Sequence, residues 1–143
     1  MGTRSLTYVF DGFEPVVCIY RQFDGYPEIH GKELKEILEG IPIVDGVPPI
    51  GAEQLFNGVD DMAATLVARL REMHPRDGNI RLIEPVYPPR DVFQEYEWYV
   101  FGQVGQTPTV YYRNILDDTD PYGKGWVHWF GPKINIKEIS KLK

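Results

Sequence analysis

Two neighbouring segments, residues 5–10 and 15–20, place the strongest constraint on how this chain can fold. Both are rich in β-branched and aromatic residues, and Asp11-Gly12 between them is typical of a hairpin turn. Apolar side chains occur on both faces of each predicted strand. A sheet accommodates that pattern only where both of its faces are covered. We therefore predict an antiparallel hairpin made of inner strands.

The rest of the chain predicts one α+β domain spanning residues 1–143, with a mainly antiparallel sheet built from hairpins. The sheet is expected to pack against one long and two short helices. The three predicted helices cover residues 32–39, which Gly40 ends, residues 52–73, and residues 136–142. The other predicted strands cover residues 78–84, 94–101, 107–113 and 125–130. Three prolines and two glycines in residues 41–51 indicate an ordered loop.

Composition narrows the classes of partner. The 143 residues fit a single domain, and the net charge of −6 disfavours binding to duplex nucleic acid. No apolar run approaches the roughly 20 residues that span a bilayer, and the N-terminus does not resemble a secretory signal. The single cysteine, Cys18, suits a reducing compartment. We predict a cytoplasmic protein, in the host cytoplasm if it is viral, that does not bind membranes.

The stretch from Tyr20 to Gly31 concentrates the polar and aromatic chemistry of the chain. It runs Tyr-Arg-Gln-Phe-Asp-Gly-Tyr-Pro-Glu-Ile-His-Gly between a predicted strand and a predicted helix. Arginine suits a carboxylate or phosphate, and an aspartate with a histidine suits acid–base chemistry near neutral pH. The predicted ligand contacts are Arg4, Tyr20, Arg21, Gln22, Asp24, Tyr26 and His30, and the predicted catalytic pair is Asp24 with His30.

Each of these assignments has a structural alternative. Arg21 can pair with Asp24 or Glu28 and simply fix the loop. Arg4 lies next to Arg21 if the hairpin has a simple register, where two arginines would form an anion site, but it is equally consistent with a solvated terminus. Cys18, in mid-strand among apolar neighbours, is better explained by packing than by nucleophilic chemistry.

No metal site or cofactor is predicted. His30, His74 and His128 are far apart in the sequence and form no ligand pair. The acidic run over residues 117–120 resembles the start of a calcium loop, but Trp129 occupies the position of the closing glutamate. We interpret it as an acidic turn.

Several motifs resemble a family of small proteins from phages, bacteria and archaea. They are Met1-Gly2-Thr3-Arg4, the loop Tyr20–Pro27 with His30-Gly31, Phe56-Asn57-Gly58, and Glu95-Tyr96-Glu97-Trp98. The resemblance extends over most of the chain, is most specific in the loop, and is lost over residues 41–51 and 84–94. The family has no assigned activity, so the resemblance implies where a site lies rather than what it does.

Three functions follow from these observations. The first is a small binding protein with a pocket for a small anionic, nucleotide-like ligand, which in a phage would suit sequestration of a host signal. The second is a hydrolase or transferase that uses His30 and Asp24 as acid and base. The third is an interaction or self-assembling module, including a homo-oligomer, that uses the Trp- and Tyr-rich late strands.

Overall fold

The computed structural model describes residues 2–46, 54–75, 78–117, 121 and 125–135. Their strands are β1 (Ser5–Asp11), β2 (Glu14–Arg21), β3 (Ile43–Val44), β4 (Phe56–Asn57), β5 (Ile80–Ile83), β6 (Tyr96–Gly102), β7 (Thr109–Asn114) and β8 (Val127–Phe130). The helices are α1 (Lys32–Leu38), preceded by a π-helical turn at Pro27–Gly31, and α2 (Val59–Met73). The chain is one α+β domain, as predicted.

Six strands form one sheet in the order β5-β2-β1-β6-β7-β8. The predicted hairpins β1–β2 and β6–β7 are both present, and they join through a parallel pairing of β1 with β6. This pairing encloses β1 between two neighbours, which confirms the prediction that the first strands are inner strands. The short strands β3 and β4 pair separately, in parallel.

A core lies on each face of the sheet. Odd-numbered residues of β1 face the helices, where Val9, Trp98 and Val100 pack with Leu66 and Leu70 of α2. The even-numbered residues Leu6, Tyr8 and Phe10 lie on the opposite face, among the rings of Tyr87, Tyr99 and Trp126. Apolar side chains on both faces of β1, and of β2 from Cys18 onward, are thereby explained, because loops cover the face that the helices do not.

Two predicted boundaries were wrong. The long helix begins at Val59 rather than at residue 52, because Phe56–Asn57 pairs as β4 and Gly58 has a φ of 90°, which no right-handed helix contains. The predicted loop over residues 41–51 contains the two-residue strand β3. The predicted closing helix over residues 136–142 and most of the acidic run at 117–120 lie outside the described residues.

Within the described ranges, neither helix has the length and apolar character needed to cross a membrane. The same ranges contain no cluster of three histidine, cysteine or carboxylate side chains placed to hold a metal ion.

Candidate functional site

Arg21, the last residue of β2, is fully buried. Its Nε donates to the carbonyl oxygen of Phe23 at 2.5 Å, and its Nη1 donates to Oε1 of Glu33 at 2.6 Å and lies 2.9 Å from Nδ1 of His30. The guanidinium therefore closes the start of the loop and fastens α1 to the sheet. The alternative that Arg21 fixes the loop agrees with this geometry, although its carboxylate partner is Glu33 rather than Asp24 or Glu28.

His30 lies at the centre of this network and is also fully buried. Because arginine only donates hydrogen bonds, Nδ1 must accept from Arg21. The proton of the neutral ring is then on Nε2, which lies 2.7 Å from Oγ1 of Thr7 and donates to it. Burial first, and the guanidinium of Arg21 second, hold the pKa of His30 well below its usual value. A neutral ring with both nitrogens engaged is not arranged to exchange protons with a substrate.

The network reaches the surface only at Glu33 and His74, whose side chains retain 18% and 19% exposure. Nε2 of His74 lies 3.1 Å from Oε1 of Glu33 and 3.2 Å from Nη2 of Arg21. One ring nitrogen can accept from the guanidinium or donate to the carboxylate, but not both at once. We call these connected side chains the buried polar network, whose members are Thr7, His30, Arg21, Glu33 and His74.

The other predicted contacts lie elsewhere. The guanidinium carbon of Arg4 lies 6.0 Å from the centre of the Phe93 ring. Since Leu6 pairs with Tyr20 and Ser5 with Arg21, strand alternation places Arg4 on the face opposite Arg21. The predicted anion site of two arginines is therefore not assembled.

Two further pairs complete the predicted set. The hydroxyl of Tyr20 donates to Oε1 of Gln22 at 2.5 Å, below the guanidinium of Arg81. The hydroxyl of Tyr26 donates to Oδ1 of Asp24 at 3.3 Å, on the exposed rim of the loop. The structure therefore joins six of the seven residues predicted to contact a ligand as three separate pairs, Tyr20 with Gln22, Asp24 with Tyr26, and Arg21 with His30, and none of the hydrogen bonds of the described residues joins Asp24 to His30.

The two glycines of the loop have packing roles. Nε1 of Trp98 donates to the carbonyl of Gly25, and Nε1 of Trp129 donates to the carbonyl of Gly31. A Cβ on Gly25 would lie 2.5 Å from Cβ of Ser5, and one on Gly31 would lie 2.8 Å from both indole rings. The loop is therefore held directly against the sheet, and packing accounts for both of these glycines.

Sequence reasoning missed Thr7, Glu33 and His74. Thr7, like Ser5, is a polar residue on the buried, helix-facing side of β1, and a buried hydroxyl is a signal that a polar partner lies nearby, which for Thr7 is His30. Glu33 lies one turn beyond His30 and could also have been considered. Nothing local points to His74, which arrives from the end of α2.

A cavity of about 330 Å³ lies near a second buried ion pair. Oε1 of Glu97 accepts from Nε of Arg113 at 2.9 Å and from the Tyr99 hydroxyl at 2.5 Å, while Oε2 accepts from Gln94. Burial and then the charge of Glu97 raise the pKa of Tyr99 well above its usual value, so the phenol stays protonated. Both carboxylate oxygens are engaged, so this polar cluster is internally satisfied.

A second cavity is larger, about 530 Å³, is lined mainly by apolar side chains, and lies between α2 and the edge of the sheet. A smaller one of about 260 Å³ shares Val67 and Leu82 with it. We call the two together the α2 groove. Its lining residues are Asp11, Val16, Val17, Val59, Asp60, Ala63, Ala64, Val67, Ala68, Arg71, Ile80, Arg81 and Leu82.

The groove exposes apolar side chains that a helix would normally cover. Leu82 pairs with Ile19, which faces the helices, so Leu82 also belongs to the helix-facing side of the sheet, yet it is 61% exposed. Val16 is 40% exposed. The small side chains of Ala64 and Ala68 leave room beside α2.

An irregularity in β2 places two consecutive valines in the groove. The register with β1 shifts between Val9, opposite Val17, and Phe10, opposite Pro15, so that Val16 is an additional residue. Such a bulge turns neighbouring side chains toward one side, which agrees with both valines lining the cavity.

No protein-family model matches this chain, and no curated protein or solved structure is significantly similar to it. The resemblance noted in the sequence is therefore neither confirmed nor excluded, and function has to be argued from the geometry alone.

Proposed function

We propose that this protein is a protein-interaction module that binds an apolar segment of another protein in the α2 groove. The observation that supports this most is that Leu82, on the helix-facing side of β5, is 61% exposed in the same cavity as Val16, and that no described residue covers it. Contiguous apolar surface rimmed by charged residues is typical of interaction sites. The groove has this form, with Asp11 and Asp60 at one end and Arg71 at the other.

The size of the groove is that of an ordinary binding site, and its lining decides which kind of group it suits. Its larger part, about 530 Å³, falls within the roughly 300–1,000 Å³ of ordinary ligand sites, and its lining is mostly aliphatic. A small anionic ligand would find few donors there. We therefore favour the third of the functions inferred from the sequence, although on a different surface, since Trp98 and Trp126 of the late strands are buried.

Binding of a small anionic ligand, and hydrolase or transferase activity by His30 and Asp24, stay predictions. The buried polar network gives them little support, because the donors of Arg21 and both ring nitrogens of His30 already have protein partners.

The proposal is tested by selecting random 16-residue peptides displayed on phage against the immobilised protein, with counter-selection against Ala64→Glu. Ala64 is exposed in the groove, so this substitution should leave folding intact while placing an unpaired charge where apolar side chains would bind. Arg69→Glu on the same helix, exposed and outside the groove, is the matched control.

We expect enriched peptides to bind Ala64→Glu at least about tenfold more weakly, and to bind Arg69→Glu within about twofold of the parent protein. In ¹⁵N spectra they should shift the amides of Ala64, Ala68 and Leu82. Peptides that instead shift Gln94 and Ile115, beside the Glu97 ion pair, would contradict the proposal, and so would the absence of any enrichment.

A further inference from the structure

We infer that the segment bound in the α2 groove is an amphipathic α-helix running antiparallel to α2, with acidic residues in its first turn and basic residues in its last. This inference depends on the proposed function and names the class of partner. Three observations support it. The backbone at the sheet edge is unsuited to an added strand, the unfilled space of the groove beside α2 (the vacancy) has the form of a helix, and the charge changes sign along the groove.

The sheet edge beside the groove is poorly suited to an added strand. β5 pairs only with Cys18–Arg21 of β2, so residues 14–17 have no strand partner on that side within the described residues. Pro15 has no N–H to donate, and the bulge at Val16 and Val17 interrupts the regular spacing of donors and acceptors. Proline and bulges are devices that prevent pairing at an open edge.

β5 does not extend to cover this edge. Beyond Ile83 the backbone turns, with the N–H of Val86 donating to the carbonyl of Glu84 at 2.9 Å. The carbonyl of Val86 then accepts from the hydroxyl of Tyr8 at 2.5 Å, on the sheet face away from the helices. The segment after β5 is thereby fixed away from the groove, and no other described residue fills the vacancy.

The vacancy has the form of a missing member of the helix layer. Along α2 the groove is lined by residues 59, 60, 63, 64, 67, 68 and 71, whose spacings of one and three trace a single helical face. Alanine side chains on that face permit the close approach at which helices pack, about 8–10 Å between axes. A helix placed there would cover Leu82 below and Ala64 and Ala68 beside it.

Charge sets the direction of this helix. Asp11 and Asp60 lie at the end of the groove where α2 begins, and Arg71 lies where α2 ends. A bound helix antiparallel to α2 would bring its last turn to the aspartates and its first turn to Arg71. Basic residues in a last turn and acidic residues in a first turn also suit the helix's own dipole. From Asp60 to Arg71 is eleven residues of helix, or about 16 Å, so about three turns of partner would fill the groove.

A second copy of this chain is a poorer occupant. With the α2 helices of two copies antiparallel, Asp60 of each copy would meet Arg71 of the other, so the charges at the rim do not exclude this pairing. The apolar face of α2, with Met62, Leu66 and Leu70, is however already buried against its own sheet, and a net charge of −6 on each chain opposes the association of two copies.

The test uses three synthetic 14-residue peptides of identical composition, with leucine, alanine, threonine, glutamate and lysine. The first places its apolar residues at a period of 3.6, with glutamates first and lysines last. The second exchanges the charged ends, and the third arranges the same residues with a period of two. Binding is measured by fluorescence anisotropy, and helix formation by circular dichroism, because a free peptide of this length is only marginally helical.

We expect the first peptide to gain helicity on binding and to shift the amides of Ala64, Ala68 and Leu82. For each like-charge contact that it makes with the groove, the charge-exchanged peptide should bind roughly two- to fivefold more weakly, the range for exposed ion pairs. The strand-patterned peptide should bind at least about tenfold more weakly. Asp60→Asn should weaken the first peptide and not the charge-exchanged one, while Glu72→Gln, exposed on α2 outside the groove, should affect neither.

Two outcomes would overturn the inference while leaving the proposed function standing: equal or tighter groove binding by the strand-patterned peptide, or binding without a gain of helicity. Concentration-dependent dimerisation that the first peptide cannot disrupt would assign the groove to a second copy and would also overturn the inference. If peptides selected from the display library also fail to reach the groove, both proposals fail together.

Discussion

Replacing Glu33 by glutamine removes the negative charge that pairs with the buried guanidinium of Arg21 while keeping an oxygen acceptor. In the described part of the chain, Glu33 is the carboxylate that forms an ion pair with Arg21, at 2.6 Å, and the Arg21 side chain has no exposure. Taking away one partner of a buried pair leaves an uncompensated charge, because the remaining ion can neither reach water nor lose its proton.

The expected loss of stability in Glu33→Gln follows from how deeply the side chains of Arg21 and Glu33 are buried. Breaking a fully buried pair costs about 3–5 kcal/mol. Glu33 retains 18% exposure, so water already screens part of the interaction, and the glutamine oxygen can still accept from Nη1. We therefore expect Glu33→Gln to lower the free energy of unfolding by about 2–3 kcal/mol, less than the full buried value.

Urea unfolding followed by tryptophan fluorescence measures this loss, since Trp98 and Trp129 contact the loop that the network holds. With a denaturant dependence of about 1–3 kcal/mol per molar, the midpoint should fall by about 0.7–3 M. Glu36→Gln, exposed on the same helix, is the matched control and should change stability by no more than about 0.5 kcal/mol. Equal midpoints for the two variants would refute the structural assignment of Arg21 and return it to the candidates for ligand binding.

Two other predictions test the same region. The pKa of His30 is held well below its usual value in the folded state, so the unfolded chain gains a proton first as pH falls below about 6.5, and stability should decline by up to about 1.4 kcal/mol per pH unit. His30→Gln should remove that part of the slope in urea unfolding between pH 7 and 5, and an unchanged slope would contradict the assignment. Gly31→Ala should lower stability by about 1–3 kcal/mol although the φ of Gly31, −61°, suits alanine, because the new Cβ would lie 2.8 Å from both indoles. Thermal unfolding measures this, and a stabilised Gly31→Ala would show that the rings yield.

Local pattern predicted most of the secondary structure. The hairpins are predictable because β1, β2, β6 and β7 combine β-branched and aromatic residues with clear turns, and α1 ends at Leu38, two residues before Gly40, whose φ is 75°. The start of α2 was placed too early because Leu55 falls in register with Val59 and Met62. A periodic pattern does not reveal that Gly58 adopts a positive φ or that Phe56 is buried as a strand.

Long-range contacts were the part that the sequence did not reveal. The parallel pairing of β1 with β6 joins residues about ninety positions apart, and no local signal reports it. Sequence proximity predicts Asp24 or Glu28 as the partner of Arg21, whereas the structure supplies Glu33 from the next helix and His74 from the end of α2. The separation of Arg4 from Arg21 was predictable, since strand alternation alone places residues 4 and 21 on opposite faces once Leu6 pairs with Tyr20.

The buried polar network and the α2 groove differ in how many of their side chains already have partners within the fold. Thr7, His30 and Arg21 have side chains that could bind a ligand or take part in catalysis. Each is buried and hydrogen-bonded to another member of the network, so these groups already serve to hold the loop. Leu82 and Val16 are chemically plain, yet their exposed surface is apolar area that water disfavours and nothing in the described chain covers. A binding partner gains free energy only where it covers or pairs groups that the fold leaves exposed. By that criterion the α2 groove is a better candidate for a binding site than the stretch from Tyr20 to Gly31.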